Sequence, residues 1–209
     1  MKKLFLSIIG AIFFMVANAG VTPVEGVDYT IIPNSAKVVK SKSGKVNVKE
    51  FFSFTCMHCK DVEPLVQEYI ATNKNIDMQQ IQVVWGSDAN MVAFAKLNAT
   101  IQLLKLNKLY IPAFNAVFAR QNINDPMVLK TFLASNGLTK AQIDNFLTMY
   151  NSFDISMTVG KYKSMTEDTK YNITCTPTFI VADKYIVSPA QPPRLIEVVK
   201  ALVNKVSHS

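Results

Sequence analysis

Three stretches of the chain carry the apolar pattern of buried strands. Residues 45–54, KVNVKEFFSF, are rich in Val and Phe and predict a central strand of the sheet. Residues 76–86, IDMQQIQVVWG, predict a second core strand. Strand patterns return only at residues 176–187, TPTFIVADKYIV, as two short runs around a tight turn. The sheet is therefore expected to combine strands from both ends of the chain.

Helical spacing of apolar residues dominates the remaining sequence. After the first strand, the apolar residues of 56–73 recur every three or four positions and predict one helix. Five more helices are predicted in succession at residues 88–108, 111–122, 125–137, 139–153 and 154–172. A last helix is expected from about 193 to 206. This order predicts an α/β fold with a helical insertion between two parts of one sheet.

The first 19 residues have the three parts of a secretory signal peptide. Lys2 and Lys3 precede an apolar run at residues 4–16, and the small residues Ala17 and Ala19 close the segment. The run is shorter than the roughly 20 residues of a membrane-spanning helix, although an uncleaved anchor is the alternative. Removal of residues 1–19 would leave 209 − 19 = 190 residues and lower the formal charge from +7 to +5. We expect a soluble, exported chain that begins near Gly20.

Composition narrows the function only slightly. A hydrophobic fraction of 49% is enough for a proper core. The mild basic excess includes a lysine-rich segment at residues 37–49 with no interleaved aromatic residues. That pattern indicates a solvated face, and no nucleic-acid partner is expected.

The chemistry of the chain is concentrated in one Cys-x-x-Cys pair, Cys56 and Cys59. A disulfide that closes so short a loop stabilises the fold little, because this stabilisation grows with loop length. A tight disulfide of this kind is typical of a redox couple. A zinc site is the rival interpretation, but it normally needs four ligands, and only Cys175 and His208 remain besides the poorly placed His58. No metal is therefore expected.

Cys56 is predicted to lie where the strand meets the following helix. Free backbone N–H groups and the helix dipole at that position favour a thiolate. His58 could add a donor or a positive charge, or it could be an ordinary exposed residue at the helix start. Glu50 is an acid inside an apolar strand. If it is buried, its pKa is raised and it could relay the proton of Cys59; otherwise it is a surface acid.

These residues resemble the DsbA family of periplasmic thiol:disulfide oxidoreductases, which have a thioredoxin fold with an inserted helical domain. The resemblance rests on the run KEFFSFTCMHCK and on Thr176-Pro177 before a strand, and it covers residues 25–206. It implies a signal peptide at 1–19, a first thioredoxin-fold part at 20–87, an inserted helical domain at 88–158 and a second part at 159–209.

The resemblance also implies a role for each site residue. Cys56 would be the sulfur that substrates attack, and Cys59 would be the buried resolving cysteine. His58 would stabilise the Cys56 thiolate, and Glu50 would manage the Cys59 proton. Met57 departs from the family, which usually has proline at this position.

The substrate side of the site follows from the same resemblance. Pro177 would be a cis-proline facing the disulfide, and the backbone of Thr176 would pair with an extended substrate. The substrates would be reduced exported polypeptides, and a DsbB-like membrane quinone reductase would reoxidise a monomeric protein that holds no cofactor. A reductase or isomerase of the same fold is the alternative, followed by a metal- or peptide-binding module.

Cys175 is the unpaired third cysteine, two residues before Pro177. One interpretation is a small, buried and inert side chain. The other is a third thiol that takes part in exchange or binds another chain or a metal. We expect its sulfur within one side-chain layer of the Cys56–Cys59 pair.

Overall fold

The computed structural model describes residues 21–35, 38, 40, 41 and 43–208. The predicted signal peptide at residues 1–19 lies outside the described residues. Among the helices that the structure describes, none is both long and apolar enough to cross a membrane.

A five-stranded sheet forms the centre of the structure, in the order β1-β5-β4-β2-β3. Its strands are β1 Tyr29–Ile31, β2 Val46–Phe52, β3 Ile76–Gln82, β4 Thr178–Val181 and β5 Tyr185–Val187. β2 pairs in parallel with β3 and antiparallel with β4, so both ends of the chain contribute as predicted. The sequence did not predict β1, whose three residues are too few to carry an alternating pattern.

Seven helices and a short 3₁₀ helix at Asn107–Leu109 complete the described fold. The helices are α1 Met57–Thr72, α2 Ala89–Leu103, α3 Tyr110–Phe118, α4 Pro126–Ser135, α5 Lys140–Tyr150, α6 Phe153–Thr166 and α7 Pro192–Ser207. α2 ends five residues before the predicted position 108, because Lys105 adopts a left-handed φ of 55°. A capping box between Thr139 and Gln142 begins α5.

Helices α2 to α5 bury an aromatic cluster against the C-terminal end of β2. Phe54 packs edge-on against Phe52 and against Phe114, with both pairs of ring centroids 5.0 Å apart. Phe94, Phe132, Phe146 and Cys59 belong to the same buried cluster. The aromatic residues of the helical block therefore form core, and Cys59 lies within that core.

The remaining core covers the two faces of the sheet. On one face, α1 and α7 pack against the strands through Val62, Val66, Leu195 and Val199. The other face carries a separate cluster that includes side chains of α2 and α6.

The expected boundary at 158 falls inside α6, so this helix extends across both proposed parts of the chain. The division into parts stays a prediction.

We predict that Leu133→Ala lowers the free energy of unfolding by about 2–5 kcal/mol, because Leu133 is fully buried and its truncation leaves a cavity. Met127→Ala, on the same helix, should change it by less than about 0.5 kcal/mol, because Met127 is 73% exposed. Urea unfolding of both variants measures the difference. Equal losses would contradict the burial of the inner face of α4.

Candidate active site

Cys56 is the N-cap residue of α1. β2 ends at Phe52, and the turn that follows is closed by a hydrogen bond of 3.0 Å from the Cys56 N–H to the Ser53 carbonyl. Cys56 has extended backbone angles, φ −90° and ψ 121°, so its side chain faces the first turn of the helix. The Cys59 N–H donates to the Cys56 sulfur at 3.3 Å. The sulfur thus takes the position that a capping oxygen usually occupies.

These surroundings stabilise a thiolate at Cys56. The pKa of Cys56 falls from 9.0 to about 5, and the largest cause is the hydrogen bond from the Cys59 side chain. Partial burial opposes this shift, whereas the Thr176 side chain and the backbone N–H groups of Cys59 and His58 add to it. Cys56 is therefore deprotonated at neutral pH.

Cys59 has the opposite environment. Its side chain is fully buried, and burial raises its pKa, with the neighbouring Cys56 as the next cause. All three cysteines are free thiols in the structure. The pair is thus a half-buried thiolate beside a buried neutral thiol.

Pro177 and Thr176 form the wall opposite the cysteines. The Thr176–Pro177 peptide bond is cis. The carbonyl oxygen of Thr176 lies 3.3 Å from the Cys56 sulfur. An open groove of about 240 Å³ begins beside this contact, lined by His58, Thr176, Pro177, Pro189, Ala190, Gln191 and Leu195. The structure therefore brings Thr176 and Pro177 to the cysteine pair.

His58 is exposed at the start of α1 and lines the same groove. Its backbone N–H lowers the pKa of Cys56. The imidazole has no hydrogen bond to any residue that the structure describes. In this state of the site, His58 acts on the Cys56 sulfur through its backbone.

Glu50 is fully buried, which excludes the alternative of a surface acid. It is joined by a second buried carboxyl group, Glu63 on α1. The Gln80 Nε2 group lies between them and donates to Glu50 Oε2 at 2.9 Å and to Glu63 Oε2 at 3.1 Å. Gln67 donates to Glu63 Oε1 at 2.6 Å. One carboxamide therefore bridges two buried acids.

Burial shifts the pKa values of both acids upwards, towards the protonated form. Burial raises the pKa of Glu50 well above its ordinary value, and the Glu63 charge raises it further. Burial also raises the pKa of Glu63 to about 7, although hydrogen bonds from Gln67 and Gln80 oppose the shift. Glu50 Oε1 has no hydrogen-bond partner among the described residues. The pair can therefore hold a proton at neutral pH.

Sequence reasoning missed Glu63 and Gln80. Glu63 carries a usable signal, because it follows Cys59 by four positions and so lies on the same face of α1. Gln80 has a weaker signal. Its importance depends on the parallel register that places it opposite Glu50, and that register cannot be deduced from a single strand.

Cys175 is exposed, so the expectation of a small buried cysteine is wrong. Its sulfur lies 3.8 Å from Thr178 Oγ1, and its carbonyl accepts a hydrogen bond of 2.8 Å from the same hydroxyl. The residue immediately precedes Thr176, which contacts Cys56. The expected proximity of the Cys175 sulfur to the cysteine pair stays a prediction.

Among the described residues, no group of three or more His, Cys, Asp or Glu side chains could hold a metal ion.

Comparison with known proteins identifies one family. A family model described as thioredoxin matches residues 38–201. The thiol:disulfide interchange protein DsbA of Burkholderia cepacia is 30% identical over 196 residues, which cover 91% of this chain and 89% of that protein. The protein of the same name from Bordetella parapertussis is 29% identical over 148 residues, covering 70% of this chain and 68% of that protein. Reduced DsbA1 from Neisseria meningitidis superposes with a TM-score of 0.73 at 27% identity, over 91% of this chain and 97% of that chain.

We predict that the thiolate absorbance of the reduced protein is lost as the pH falls through about 5. Because the folded pKa of Cys56 lies below its ordinary value of 9.0, the thiolate stabilises the folded reduced protein above pH 9. This stabilisation declines as the pH falls towards 5. Ultraviolet titration checks the first statement, and Cys56→Ser should lack the transition. The absence of a transition near pH 5 in the intact protein would contradict the environment described for Cys56.

A second pH effect is predicted for Glu63, measured on the oxidised protein so that Cys56 does not titrate. Because the folded pKa of Glu63 is raised, its neutral form stabilises the fold below pH 4.5, and this stabilisation is lost as the pH rises through about 7. Over that interval, the free energy of unfolding should fall relative to Glu63→Gln by roughly 1–3 kcal/mol. Glu68→Gln on the exposed face of α1 is the matched control. Parallel curves for the intact protein and Glu63→Gln would show that Glu63 does not titrate in this range.

Proposed function

The chain belongs to the DsbA family of thiol:disulfide interchange proteins, and on this premise we propose that it donates the Cys56–Cys59 disulfide to reduced exported polypeptides. The observation that carries the proposal is the opposite environment of the two sulfurs. Cys56 is held as a thiolate, whereas burial keeps Cys59 protonated. A stable thiolate lowers the free energy of the reduced protein relative to the disulfide form. The disulfide therefore oxidises substrate thiols readily.

The exchange begins on the half-buried sulfur. A substrate thiolate attacks Cys56, because Cys59 is fully buried and out of reach. The bond between Cys56 and Cys59 breaks, a mixed disulfide forms, and Cys59 leaves with the electron pair. A second substrate thiolate then attacks the substrate sulfur of the mixed disulfide, which releases an oxidised substrate and the Cys56 thiolate. Two electrons pass from the substrate to the protein, and the exchange uses no cofactor.

The leaving Cys59 sulfur must acquire a proton, because a buried thiolate is costly. We assign this proton to Glu50, with Glu63 as the second member of the acid pair. The support is that both acids are buried beneath the site and that their pKa values are raised. In the reverse direction, when the disulfide is restored, the pair would take the proton back.

The groove beside Thr176 and Pro177 suits an extended polypeptide. A backbone lying along it would meet the Thr176 main chain next to the Cys56 sulfur. His58 lines the same groove and would contact the substrate on the opposite side. We propose that the protein works in the periplasm as a monomer and that a DsbB-like membrane quinone reductase restores the disulfide.

The reduction potential of the Cys56–Cys59 couple tests the proposal. It should be measured against a glutathione buffer with Cys175→Ser as the background, so that only the active pair exchanges. Thioredoxin has a reduction potential of about −270 mV. We expect a potential well above this value, because the Cys56 thiolate stabilises the reduced form. The same protein should accelerate oxidative folding of a reduced polypeptide, and Cys56→Ser should return the rate to the uncatalysed one.

A potential near that of thioredoxin would overturn the proposed direction of exchange and favour a reductase or isomerase. Cys59→Ser separates the steps, since it leaves the attacking sulfur but removes the resolving one. This variant should accumulate mixed disulfides at Cys56. An intact protein with no exchange activity would overturn the function as a whole.

A further inference from the structure

Gln82 is a buried polar residue that the exchange reaction does not use. It is the last residue of β3, its register partner is Phe52 at the end of β2, and its side chain is fully buried. A carboxamide in such a position needs partners for both its donor and its acceptor. Two of its three partners, Ser53 and Phe54, lie in the turn that precedes Cys56.

Both ends of the Gln82 carboxamide are engaged. Its Oε1 accepts a hydrogen bond of 3.0 Å from the buried backbone N–H of Phe54. Its Nε2 donates to the Ser53 hydroxyl at 3.4 Å and to the Val83 carbonyl at 3.0 Å. One side chain therefore joins the end of β3 to the turn after β2, in the interval where the strand hydrogen bonds have ended.

Hydrogen bonds of Ser53 within the turn connect Gln82 to Cys56. The Ser53 hydroxyl also accepts from the Thr55 N–H at 3.2 Å and lies 2.8 Å from the Thr55 hydroxyl. The Ser53 carbonyl accepts from the Cys56 N–H at 3.0 Å. Ser53 is thus bonded to Gln82 on one side and to Cys56 on the other.

We propose that Gln82 is a positioning residue of the active site, whose carboxamide fixes the Ser53–Thr55 turn and so holds the Cys56 sulfur at the start of α1. Gln82 touches neither cysteine sulfur, so its effect passes through the turn. A glutamine is suited to this task because it offers one acceptor for Phe54 and donors for Ser53 and Val83. An ionised glutamate would lack the donors and would place an unpaired charge in the core.

The test is the substitution Gln82→Met, which keeps the length of the side chain and removes its hydrogen bonds. The Cys56 sulfur should then lose its alignment with the Cys59 N–H. We expect the thiolate-to-thiol ratio of Cys56 at a given pH to fall about tenfold, a displacement of its ultraviolet titration towards higher pH. The measurement uses the reduced full chain without substrate.

Two variants on the same strand serve as controls. Gln79→Met makes the same replacement at a half-exposed position with no bond to the turn, and it should leave the titration unchanged. Ile81→Val truncates a buried side chain in the cluster on the opposite face of the sheet, so it lowers stability without touching the turn. An unchanged titration in Gln82→Met, or an equal displacement in Ile81→Val, would overturn the inference.

If Gln82→Met does not fold, Ser53→Ala decides the matter. This variant removes the hydroxyl between Gln82 and Thr55 and should displace the titration in the same direction by a smaller factor. A titration like that of the intact protein would overturn the inference. The role of Gln82 rests on the proposed function only through Cys56 as the reacting sulfur. The ultraviolet titration of Cys56 uses no substrate, so it tests the role of Gln82 even if the protein fails to donate its disulfide.

Discussion

The capping of α1 by a sulfur is the interaction on which the rest of the site depends. The Cys56 sulfur receives the Cys59 N–H, and the same short segment places Cys59 inside the core. One turn of helix thus gives two chemically identical side chains opposite protonation preferences. The Thr176 carbonyl contacts the Cys56 sulfur from the other side, and the Gln82 carboxamide accepts from the backbone N–H of Phe54 in the preceding turn.

The buried acids Glu50 and Glu63 are bridged by a neutral side chain. Glu50 and Glu63 share the Nε2 group of Gln80, a neutral donor, and no cation bridges them among the described side chains. A carboxamide cannot compensate two negative charges, so simultaneous ionisation is disfavoured. The chain therefore keeps at least one acidic proton in its interior.

The sequence was sufficient for the features that depend on local pattern. It predicted the strand-to-helix junction at Cys56 and the sheet drawn from both ends of the chain. It was insufficient where pairing register decides the outcome, because a strand read alone does not reveal what lies opposite it. Gln80 and Gln82 were missed for that reason, whereas β1 was missed because its three residues are too few to show an alternating pattern. Glu63 was missed although its helical spacing from Cys59 pointed to it. The exposure of Cys175 also could not be read from its neighbours in the chain.

The membership of Cys59 in the aromatic cluster of the helical insertion has a consequence for how this family could diversify. The other buried members of this cluster come largely from the segment that contains α2 to α5, and few come from the sheet. A change in the packing of those helices can stabilise one oxidation state more than the other. By thermodynamic linkage, such a change alters the driving force for electron transfer. A substitution in α2 to α5 with this effect would change the redox strength while the Cys-x-x-Cys motif stays the same.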